Sequence, residues 1–441
     1  MKRIVCLSLS VVLLFCLLIA GVSCGGDEES GQPSGSTVTL YVYNWGEYIS
    51  DGFDGSLDVN AEFEAYCREE LGMNVKVNYS TFSSNEDMYA RVSSGAAIYD
   101  VLIPSDYMIQ RMIKEERLLP LDMDRIENYR YILDDFKGDN VYYEPNDGNI
   151  YSVPYFYGMI GVIYNTEYVQ EDEEKIGSWG LMFDVDKDEN GNYTSQHKGD
   201  ILQFNNSRDA FGTALYYLGY DVNEATEEQW REALDLLKEQ KNIVQGYVMD
   251  EIFNKMKSGS AAIAAYYAGD FLTMYEDNDS LAFYYPQEGT NYYIDAMCIP
   301  ANAYHPELAQ EYINFMCRPD IALANAGYTY YASPLDQELI ESEGEYTDAL
   351  DEYRESMEEV HEDAMEILYG ETAAEVKEKS SAYLNLDDEK LNLLNDLWEE
   401  LKIESSIGTG IYVLCIIILA ALVALAVWHF IKKHRWSKLY D

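Results

Sequence analysis

The sequence has little positive charge. Lysine and arginine together number 30, against 79 aspartate and glutamate residues, and the formal net charge at pH 7 is −49. Because like charges repel, such a chain does not bind a phosphate backbone, and nucleic acid is excluded as a partner. The same charge attracts small cations, although it is also compatible with a role in solubility alone.

Residues and motifs of catalysis and metal binding are scarce as well. The chain contains five histidines and shows no phosphate-binding loop, nucleophile elbow or dinucleotide glycine fingerprint. The segment "DVDKDENG" at 184–191 alternates acids as a calcium loop does. Its glycine stands at the eighth position instead of the sixth, so we interpret it as an acidic surface loop. We therefore predict a protein that is not an enzyme and has no metal or cofactor.

Cysteine is also rare, with seven residues in the chain. Four of them lie in the terminal segments described below, which leaves Cys67, Cys298 and Cys317. Three scattered thiols form neither a disulfide framework nor a zinc site, and we predict that they are buried.

Long apolar runs stand at the two ends of the chain. Residues 1–23 have the pattern of a secretory signal peptide, and "AGVSC" resembles the lipobox of bacterial lipoproteins, which predicts lipidation at Cys24. A flexible linker is predicted at 24–37. Residues 411–431 are long enough to span a bilayer, and the basic tail 432–441 follows them. We therefore predict a C-terminal transmembrane helix and a protein at the cell membrane, with its main part extracellular or periplasmic.

Between these ends the hydrophobic pattern predicts an α/β fold. The segment "VTLYVYN" at 38–44 alternates like a strand, 57–71 has apolar residues at helical spacing, and 75–79 alternates again, which is typical of a βαβ unit. Ser84 is expected to cap a helix over 85–94, and 99–104 is expected to form a buried strand. In such folds the loops at the carboxyl ends of the strands form the binding edge.

Further elements follow from the same patterns. Strands are predicted at 151–155, 159–164, 201–204, 261–267, 282–285 and 296–299, and helices at 208–218, 227–240, 306–316, 319–326 and 390–402. The acid-rich stretch 337–380 is predicted to form solvated helices.

Tyrosine is abundant, with 40 residues, and it recurs beside carboxylates in predicted loops. The stretch "YNWGEYIS" at 43–50 combines an indole, a carboxylate and a phenol, and the pairs Tyr107 and Asp106, Tyr267 and Asp270, and Tyr293 and Asp295 repeat the theme. Aromatic faces attract ammonium groups, and carboxylates accept charge-assisted hydrogen bonds from them. The combination suits cationic amines, but each tyrosine can also serve packing alone, so composition does not decide.

Eight segments, in order along the chain, resemble the spermidine/putrescine-binding proteins of bacterial ABC importers. They are "LYVYNWGEYIS", "YSTFSSNEDMYARV", "YDVLIPSDYMIQRM", "YSVPYFYGMIGVIYN", "NNSRDAFGTALYYLGY", "YYIDAMCIPANA", "INFMCRPDIALANAGY" and "LNDLWEELK". The resemblance covers about residues 38–402. It implies a two-lobe type II periplasmic-binding-protein fold, whose lobes close over a polyamine, and an ABC permease as partner.

The resemblance also implies a set of ligand-binding residues. They are Trp45, Glu47, Tyr48, Ser105, Tyr107, Asn206, Asp209, Tyr267, Tyr293, Asp295 and Tyr328. In this set Asp295 is implied to hold a primary amine, and Glu47 and Asp209 to neutralise further amines.

The chain departs from the family pattern at three of these positions. Asn206 stands where the family has an acid, which favours a ligand with fewer ammonium groups or one held by a neutral acceptor. Tyr267 and Tyr293 stand where the family has indoles, and tyrosine is the weaker cation-π partner. Spermidine binding is therefore less well supported than polyamine binding in general.

The leading hypothesis is the binding component of a polyamine importer. The alternatives are a binding protein for another small cationic amine, a membrane-tethered polyamine sensor, and a glycosidase that uses paired acids such as Glu47 and Asp295. For the predicted binding protein the expected boundaries are 38–158 and 294–338 for lobe 1, and 159–293 and 339–402 for lobe 2.

Overall fold

The predicted βαβ unit at the start of the chain is confirmed. The computed structural model describes residues 36–170, 173–406, 417–420 and 428. Strand β1 (Val38–Trp45) is followed by helix α1 (Val59–Glu69) and strand β2 (Val75–Phe82), and the two strands pair in parallel along their whole length. The carboxylate of Asp58 accepts a hydrogen bond from the backbone N–H of Ala61 at 2.9 Å, so it caps the first turn of α1.

The remaining strands complete a nine-stranded sheet. They are β3 (Val101–Leu102), β4 (Ser152–Asn165), β5 (Ile201–Phe204), β6 (Val244–Val248), β7 (Ile263–Tyr267), β8 (Leu281–Tyr284) and β9 (Tyr292–Cys298). The strand order is β2-β1-β3-β9-β4-β7-β5-β6, and β8 also pairs with β4.

Strand β4 joins two halves of this sheet. Its first part, Ser152–Met159, pairs with β9, and its second part, Ile160–Asn165, pairs with β7 and β8. We call β2, β1, β3, β9 and the first part of β4 the first half-sheet, and the second part of β4 with β5, β6, β7 and β8 the second half-sheet. The sequence pattern predicted two separate strands here, and the pairing is indeed irregular after Pro154, which has no N–H to donate.

Helices cover both half-sheets. They are α2 (Asn85–Ser93), α3 (Asp106–Lys114), α4 (Ser207–Leu218), α5 (Glu227–Gln240), α6 (Glu251–Lys257), α7 (Ala268–Asp277), α8 (Pro306–Met316), α9 (Pro319–Thr329), α10 (Gln337–Glu343), α11 (Thr347–Val360), α12 (Ala364–Tyr369), α13 (Glu371–Lys377) and α14 (Asp388–Ser406). Short 3₁₀ turns lie at Phe53–Gly55, Met123–Arg125, Glu127–Tyr131, Asp134–Phe136, Gly138–Asn140 and Trp179–Leu181.

Most predicted helices are confirmed, and Ser84 caps α2 as expected. The acid-rich stretch 337–380 does form helices, but they are not merely solvated, because α11 buries Leu350, Tyr353 and Met357. Strand β6 and helices α3, α6 and α7 were not predicted from the sequence. The three predicted buried thiols are confirmed as free and buried.

The prediction of a C-terminal transmembrane helix at 411–431 was wrong. Within the part of the chain that the structure describes, no helix has both the length and the apolar composition needed to cross a bilayer. The longest nearby helix, α14, has 19 residues but includes charged residues such as Glu399, Glu400 and Lys402. Of the predicted span itself, residues 417–420 and 428 are described, and the rest lies outside the described residues.

Other predictions for the ends of the chain lie outside the described residues. These are the signal peptide at 1–23, the lipidated Cys24, most of the linker at 24–37 and the tail at 432–441. The lobe boundaries given above stay predictions.

Candidate ligand-binding site

The carboxyl ends of the parallel strands in both half-sheets border one cavity. It measures about 720 Å³, including the part that is open to solvent, and lies within the range of small-molecule pockets, about 300–1,000 Å³. The first half-sheet contributes the loop after β1 and the starts of α2 and α3, and the second contributes the starts of α4, α6 and α7. Strand β9 borders the cavity between them.

Asp295, on β9, is a buried acid that lies between the two half-sheets. Its side chain is 5% exposed and accepts hydrogen bonds from the hydroxyl of Tyr48 at 2.8 Å and from the hydroxyl of Ser105 at 2.6 Å. Burial raises the pKa of Asp295 to about 7, and the two hydrogen bonds only partly oppose this rise. An ammonium group in the cavity would supply the positive charge that this carboxylate lacks.

Asp209 is the corresponding acid on the second half-sheet, in the first turn of α4. It is 7% exposed and accepts hydrogen bonds from the Asn206 side-chain amide at 2.7 Å and from the Tyr267 hydroxyl at 3.0 Å. Asn206 in turn caps α4, because its side-chain oxygen accepts the backbone N–H of Asp209 at 2.8 Å. Burial raises the pKa of Asp209. Asn206 therefore positions Asp209, and its oxygen is already engaged within the protein.

Four further carboxyls line the cavity: Glu86, Asp106, Asp250 and Asp270. Asp270 is 6% exposed, and burial raises its pKa well above the usual range. Glu86 accepts a hydrogen bond from the Tyr107 hydroxyl at 2.9 Å. Asp106 accepts hydrogen bonds from the Tyr142 hydroxyl and from the backbone N–H of Ile294, and burial raises its pKa to about 7. The cavity is thus lined by six carboxyls.

Four of these acids share a local position, the first turn of a helix. They are Glu86 in α2, Asp106 in α3, Asp209 in α4 and Asp270 in α7. The N-terminus of a helix carries a partial positive charge, so helices that point at a cavity would by themselves favour an anion. A carboxylate in each first turn offsets that charge and makes the same architecture suitable for a cation.

Aromatic rings form the rest of the lining. They are Trp45, Tyr48, Tyr107, Phe253, Tyr266, Tyr267, Tyr293, Tyr331 and Tyr383. The rings of Tyr267 and Tyr293 meet edge to face with their centroids 5.2 Å apart. The Tyr293 hydroxyl and the Trp45 indole N–H are buried and have no hydrogen-bond partner among the described residues. Both groups are therefore available to a hydrogen-bonding partner that enters the cavity.

The described residues that line the cavity include no lysine and no arginine. Arg208, next to Asp209 in the chain, is buried behind the wall. Its guanidinium donates to the Leu384 carbonyl at 3.0 Å and to the Asn223 side-chain oxygen at 3.1 Å, and it lies 4.6 Å from the centre of the Tyr383 ring. The positive charge of the protein is therefore kept out of direct contact with the cavity acids.

Comparison with known proteins agrees with this geometry. The sequence model of the bacterial extracellular solute-binding protein family matches residues 61–348. A spermidine/putrescine-binding periplasmic protein of Salmonella typhimurium is 30% identical over 321 residues, which cover 72% of this chain and 83% of that protein. The chain belongs to the bacterial extracellular solute-binding protein family. It is a binding protein, and the prediction that it is not an enzyme is confirmed.

Two further relatives support the same assignment. A putrescine/cadaverine-binding protein of Pseudomonas aeruginosa is 27% identical, with 68% of this chain and 79% of that protein covered. The crystal structure of a spermidine/putrescine ABC transporter substrate-binding protein from Streptococcus pneumoniae superposes with a TM-score of 0.60 at 30% identity, covering 83% of this chain and 98% of that one. The predicted two-lobe α/β periplasmic-binding fold is confirmed.

The structure brings nine of the eleven predicted ligand-binding residues of this solute-binding protein into the cavity. These are Trp45, Tyr48, Ser105, Tyr107, Asn206, Asp209, Tyr267, Tyr293 and Asp295. Glu47 and Tyr328 do not line it. Glu47 is exposed in the left-handed conformation at φ 49°, and Tyr328 is half-buried near the end of α9.

Several lining residues were not among the predicted set. They include Glu86, Asp106, Asp250, Asp270, Tyr331 and Tyr383. A signal for three of these acids existed in the sequence, since Glu86, Asp106 and Asp270 each stand in the first turn of a helix. Tyr331 lies three residues after the predicted Tyr328, and no local pattern distinguishes the two tyrosines.

Proposed function

We propose that this solute-binding protein is the extracellular polyamine-binding component of an ABC import system, of the spermidine/putrescine class. The observation that carries the proposal is the lining of the cavity: six carboxyls and nine aromatic rings, with no lysine or arginine among the described lining residues. Both Asp209 and Asp295 are buried, and among the described residues neither has a cationic side chain as a hydrogen-bonding partner.

A linear polyamine is complementary to both components of this lining, the carboxyls and the aromatic rings. Its ammonium groups donate to the carboxylates and provide the missing positive charge. Its methylene chain lies against the aromatic faces, which also attract the ammonium groups. The nine predicted residues that line the cavity are the proposed ligand contacts, with Asp295 and Asp209 as the anchors on the two half-sheets.

The number of acids bears on which polyamine is bound. The sequence suggested fewer acids in the binding site than in the family pattern, because Asn206 stands where the family has an acid. The six carboxyls around the cavity outweigh that single replacement. Ligands with two and with three ammonium groups both remain within the proposed class.

Binding requires no covalent step. The ligand contacts both half-sheets, so it favours the arrangement in which the two lobes enclose it. The closed protein is then the form presented to the permease subunits of the importer. Export directed by residues 1–23 and lipid anchoring at Cys24 belong to the same proposal, since both keep the protein outside the cell.

Isothermal titration of residues 36–406 with putrescine, cadaverine and spermidine tests the proposal. We expect saturable binding of at least one polyamine. 1,4-Butanediol, which has the chain length of putrescine without its charges, is the matched control and should give no binding heat. Absence of binding by all three amines at high micromolar concentration would refute the proposal.

A further inference from the structure

A second cavity lies beside the first half-sheet, apart from the proposed ligand site. It measures about 580 Å³, including the part that is open to solvent, and it is bordered by the turns and loops between residue 129 and the start of β4. None of its lining residues lines the cavity described above. We call it the second cavity, and the site described above the ligand cavity.

The second cavity repeats the composition of the ligand cavity on a smaller scale. Three aromatic rings and one carboxyl stand on its wall: Tyr129, Phe136, Tyr143 and Glu144. No lysine or arginine belongs to the wall as far as the structure describes it. This composition is not general, because a cavity beside α14 is lined by Lys241 and Lys402 and by no described acid.

Glu144 is held in this wall by neutral groups. Its carboxylate accepts hydrogen bonds from the Ser152 hydroxyl at 2.6 Å and from the backbone N–H of Tyr151 at 3.1 Å. Burial raises the pKa of Glu144, and these hydrogen bonds only partly oppose the rise. The carboxylate is thus fixed in position without a compensating positive charge from its donors.

Lys137 is a base close to this cavity, but its charge is used elsewhere. Its Nζ lies 5.8 Å from the centre of the Tyr129 ring, donates to the Arg130 carbonyl at 3.1 Å and pairs with the Asp134 carboxylate at 3.3 Å. Among the ion pairs of the described residues, none involves Glu144.

Tyr143 supplies a second polar group to the wall. It is 2% exposed, and its buried hydroxyl has no hydrogen-bond partner among the described residues. Burial raises the pKa of Tyr143 well above its usual value, the charge of Glu144 raises it further and Ser152 lowers it, which places the hydroxyl near both side chains. An unengaged hydroxyl beside a carboxylate is available to a guest in the cavity.

The two cavities are served by consecutive residues. Tyr142 donates its hydroxyl to Asp106 in the wall of the ligand cavity, and Tyr143 lines the second cavity. The rings of these two tyrosines are nearly perpendicular, at 84°. The second cavity is therefore a neighbour of the ligand cavity with a wall of its own.

We infer that the second cavity is a separate binding site for a small amine with one primary ammonium group. The ammonium group donates to the Glu144 carboxylate and to the Tyr143 hydroxyl oxygen, and the alkyl chain lies against the rings of Tyr129 and Phe136. One carboxyl suits one ammonium group, whereas six carboxyls line the ligand cavity. This site goes beyond the proposed import function and does not depend on it.

The test titrates n-butylammonium chloride into the full chain and follows binding by ligand-observed NMR. Every variant also carries Asp295→Asn, which removes the anchor of the ligand cavity. In this background Glu144→Gln is compared with Asp147→Asn, the matched control, because Asp147 is an exposed acid of the same loop that does not line the second cavity. The control ligand is 1-butanol, which has the same chain without the charge.

We expect saturable binding of n-butylammonium in the Asp295→Asn background. Glu144→Gln should lower this affinity about tenfold or more, because hydrogen bonds to a charged group are lost. Asp147→Asn should change it less than about twofold, since an exposed charge contributes little. 1-Butanol should bind equally to both variants.

Tyr143→Phe provides a second measurement, because it removes only the unengaged hydroxyl. It should lower n-butylammonium affinity about threefold without lowering the melting temperature, since the hydroxyl has no partner in the described protein to lose. This variant keeps the site testable if Glu144→Gln does not fold.

Equal n-butylammonium affinity for Glu144→Gln and Asp147→Asn would overturn the second site, and so would 1-butanol binding as tight as that of n-butylammonium. If Glu144→Gln does not fold, unchanged affinity for Tyr143→Phe would overturn it. A failure of all polyamines to bind in the titration of the proposed function would refute that function alone, because the present test uses neither a polyamine nor the Asp295 carboxylate.

Discussion

Asp295 in the cavity and Glu115 on the surface carry the same functional group, yet their pKa values shift in opposite directions. Burial raises the pKa of Asp295 to about 7, and the described residues that line the cavity include no lysine or arginine to offset it. Burial also raises the pKa of Glu115, but hydrogen bonds from Tyr89, Arg117 and Arg111 outweigh that effect and lower it to about 2. The protein neutralises the surface acid Glu115 with its own arginines. It leaves the cavity acid Asp295 for a cation that comes from outside the protein.

This contrast explains how a chain with so many acids can still be selective. Surface carboxylates such as Glu115 and Glu227 are paired or solvated, and they contribute little to binding one particular ligand. The cavity carboxylates are held by hydroxyl and amide donors, which fix their positions without supplying charge. Selectivity for a cation therefore comes from the absence of internal bases at the cavity rather than from total charge.

The largest expected effect is that of Asp295→Asn. Removal of a buried charge that pairs with a ligand ammonium group typically costs about 2–5 kcal/mol, so polyamine affinity should fall by about 30-fold or more in a titration at pH 8. The melting temperature of the ligand-free variant should not fall, because the variant removes a buried, unpaired carboxylate. Glu115→Gln is the matched control, and affinity within threefold of the wild type for Asp295→Asn would contradict this role.

The next effect concerns Gly212, inside α4. A Cβ atom there would lie 1.9 Å from the hydroxyl of Tyr383, which lines the cavity. Although alanine is the better helix former, Gly212→Ala should displace Tyr383, lower the free energy of unfolding by about 1–3 kcal/mol and weaken polyamine binding. Gly246→Ala is the control, since a Cβ atom at that strand position meets no atom within 4 Å. If Gly212→Ala leaves the melting temperature and the polyamine affinity unchanged, Tyr383 can move without loss of stability, and the prediction is wrong.

The pH dependence of binding follows from the raised pKa of Asp295. A ligand cation stabilises the ionised carboxylate and lowers that pKa in the complex. Polyamine affinity should therefore increase with pH, by about tenfold between pH 6 and 8 if Asp295 alone titrates, and binding below pH 7 should release protons. Titration in two buffers of different ionisation enthalpy measures the release; affinity that does not change with pH would contradict an unpaired acid at the anchor.

The smallest effect is expected for Glu115, the surface acid that was compared with Asp295. Because the pKa of Glu115 is lowered, its contribution to stability is present at neutral pH and is lost as pH falls from about 4.5 towards 2. Glu115→Gln should lower the free energy of unfolding at pH 7 by at most about 1 kcal/mol, and this difference from the wild type should vanish near pH 2. Chemical denaturation at both pH values measures it, and an altered polyamine affinity would be unexpected.

Much of the fold followed from local patterns. The βαβ unit, the cap at Ser84 and helices such as α5 and α8 were predicted because alternation, helical spacing and capping residues are properties of neighbouring positions. Strand β6 and helices α3, α6 and α7 were missed, since three of them are short and α7 begins within an apolar stretch that reads as a continuation of β7. The transmembrane prediction rested on the length and hydropathy of 411–431 and on the basic tail that follows it, and it was wrong, because no helix of the described residues is long and apolar enough to cross a bilayer.

Part of the cavity lining could also be predicted from the sequence. Nine cavity residues could be named because they stand in loops that follow strands and resemble family motifs. Glu47 is next to the cavity residues Gly46 and Tyr48, but it is exposed, has a left-handed backbone and does not line the cavity. Tyr331 was missed because it comes to the cavity just after the C-terminal end of α9, and no pattern of neighbouring residues records that approach.

The sequence by itself determined the excess of acids, the aromatic character of the strand-end loops and their order along the chain. Only the tertiary structure decided which acids remain unneutralised. Arg208 and Asp209 are neighbours in the chain, and a reader of the sequence would pair them. In the fold, the guanidinium turns to the Leu384 carbonyl and the Tyr383 ring, and the carboxylate turns to the cavity. Charge pairing depends on distance in space and on competing partners, and neither is fixed by adjacency along the chain.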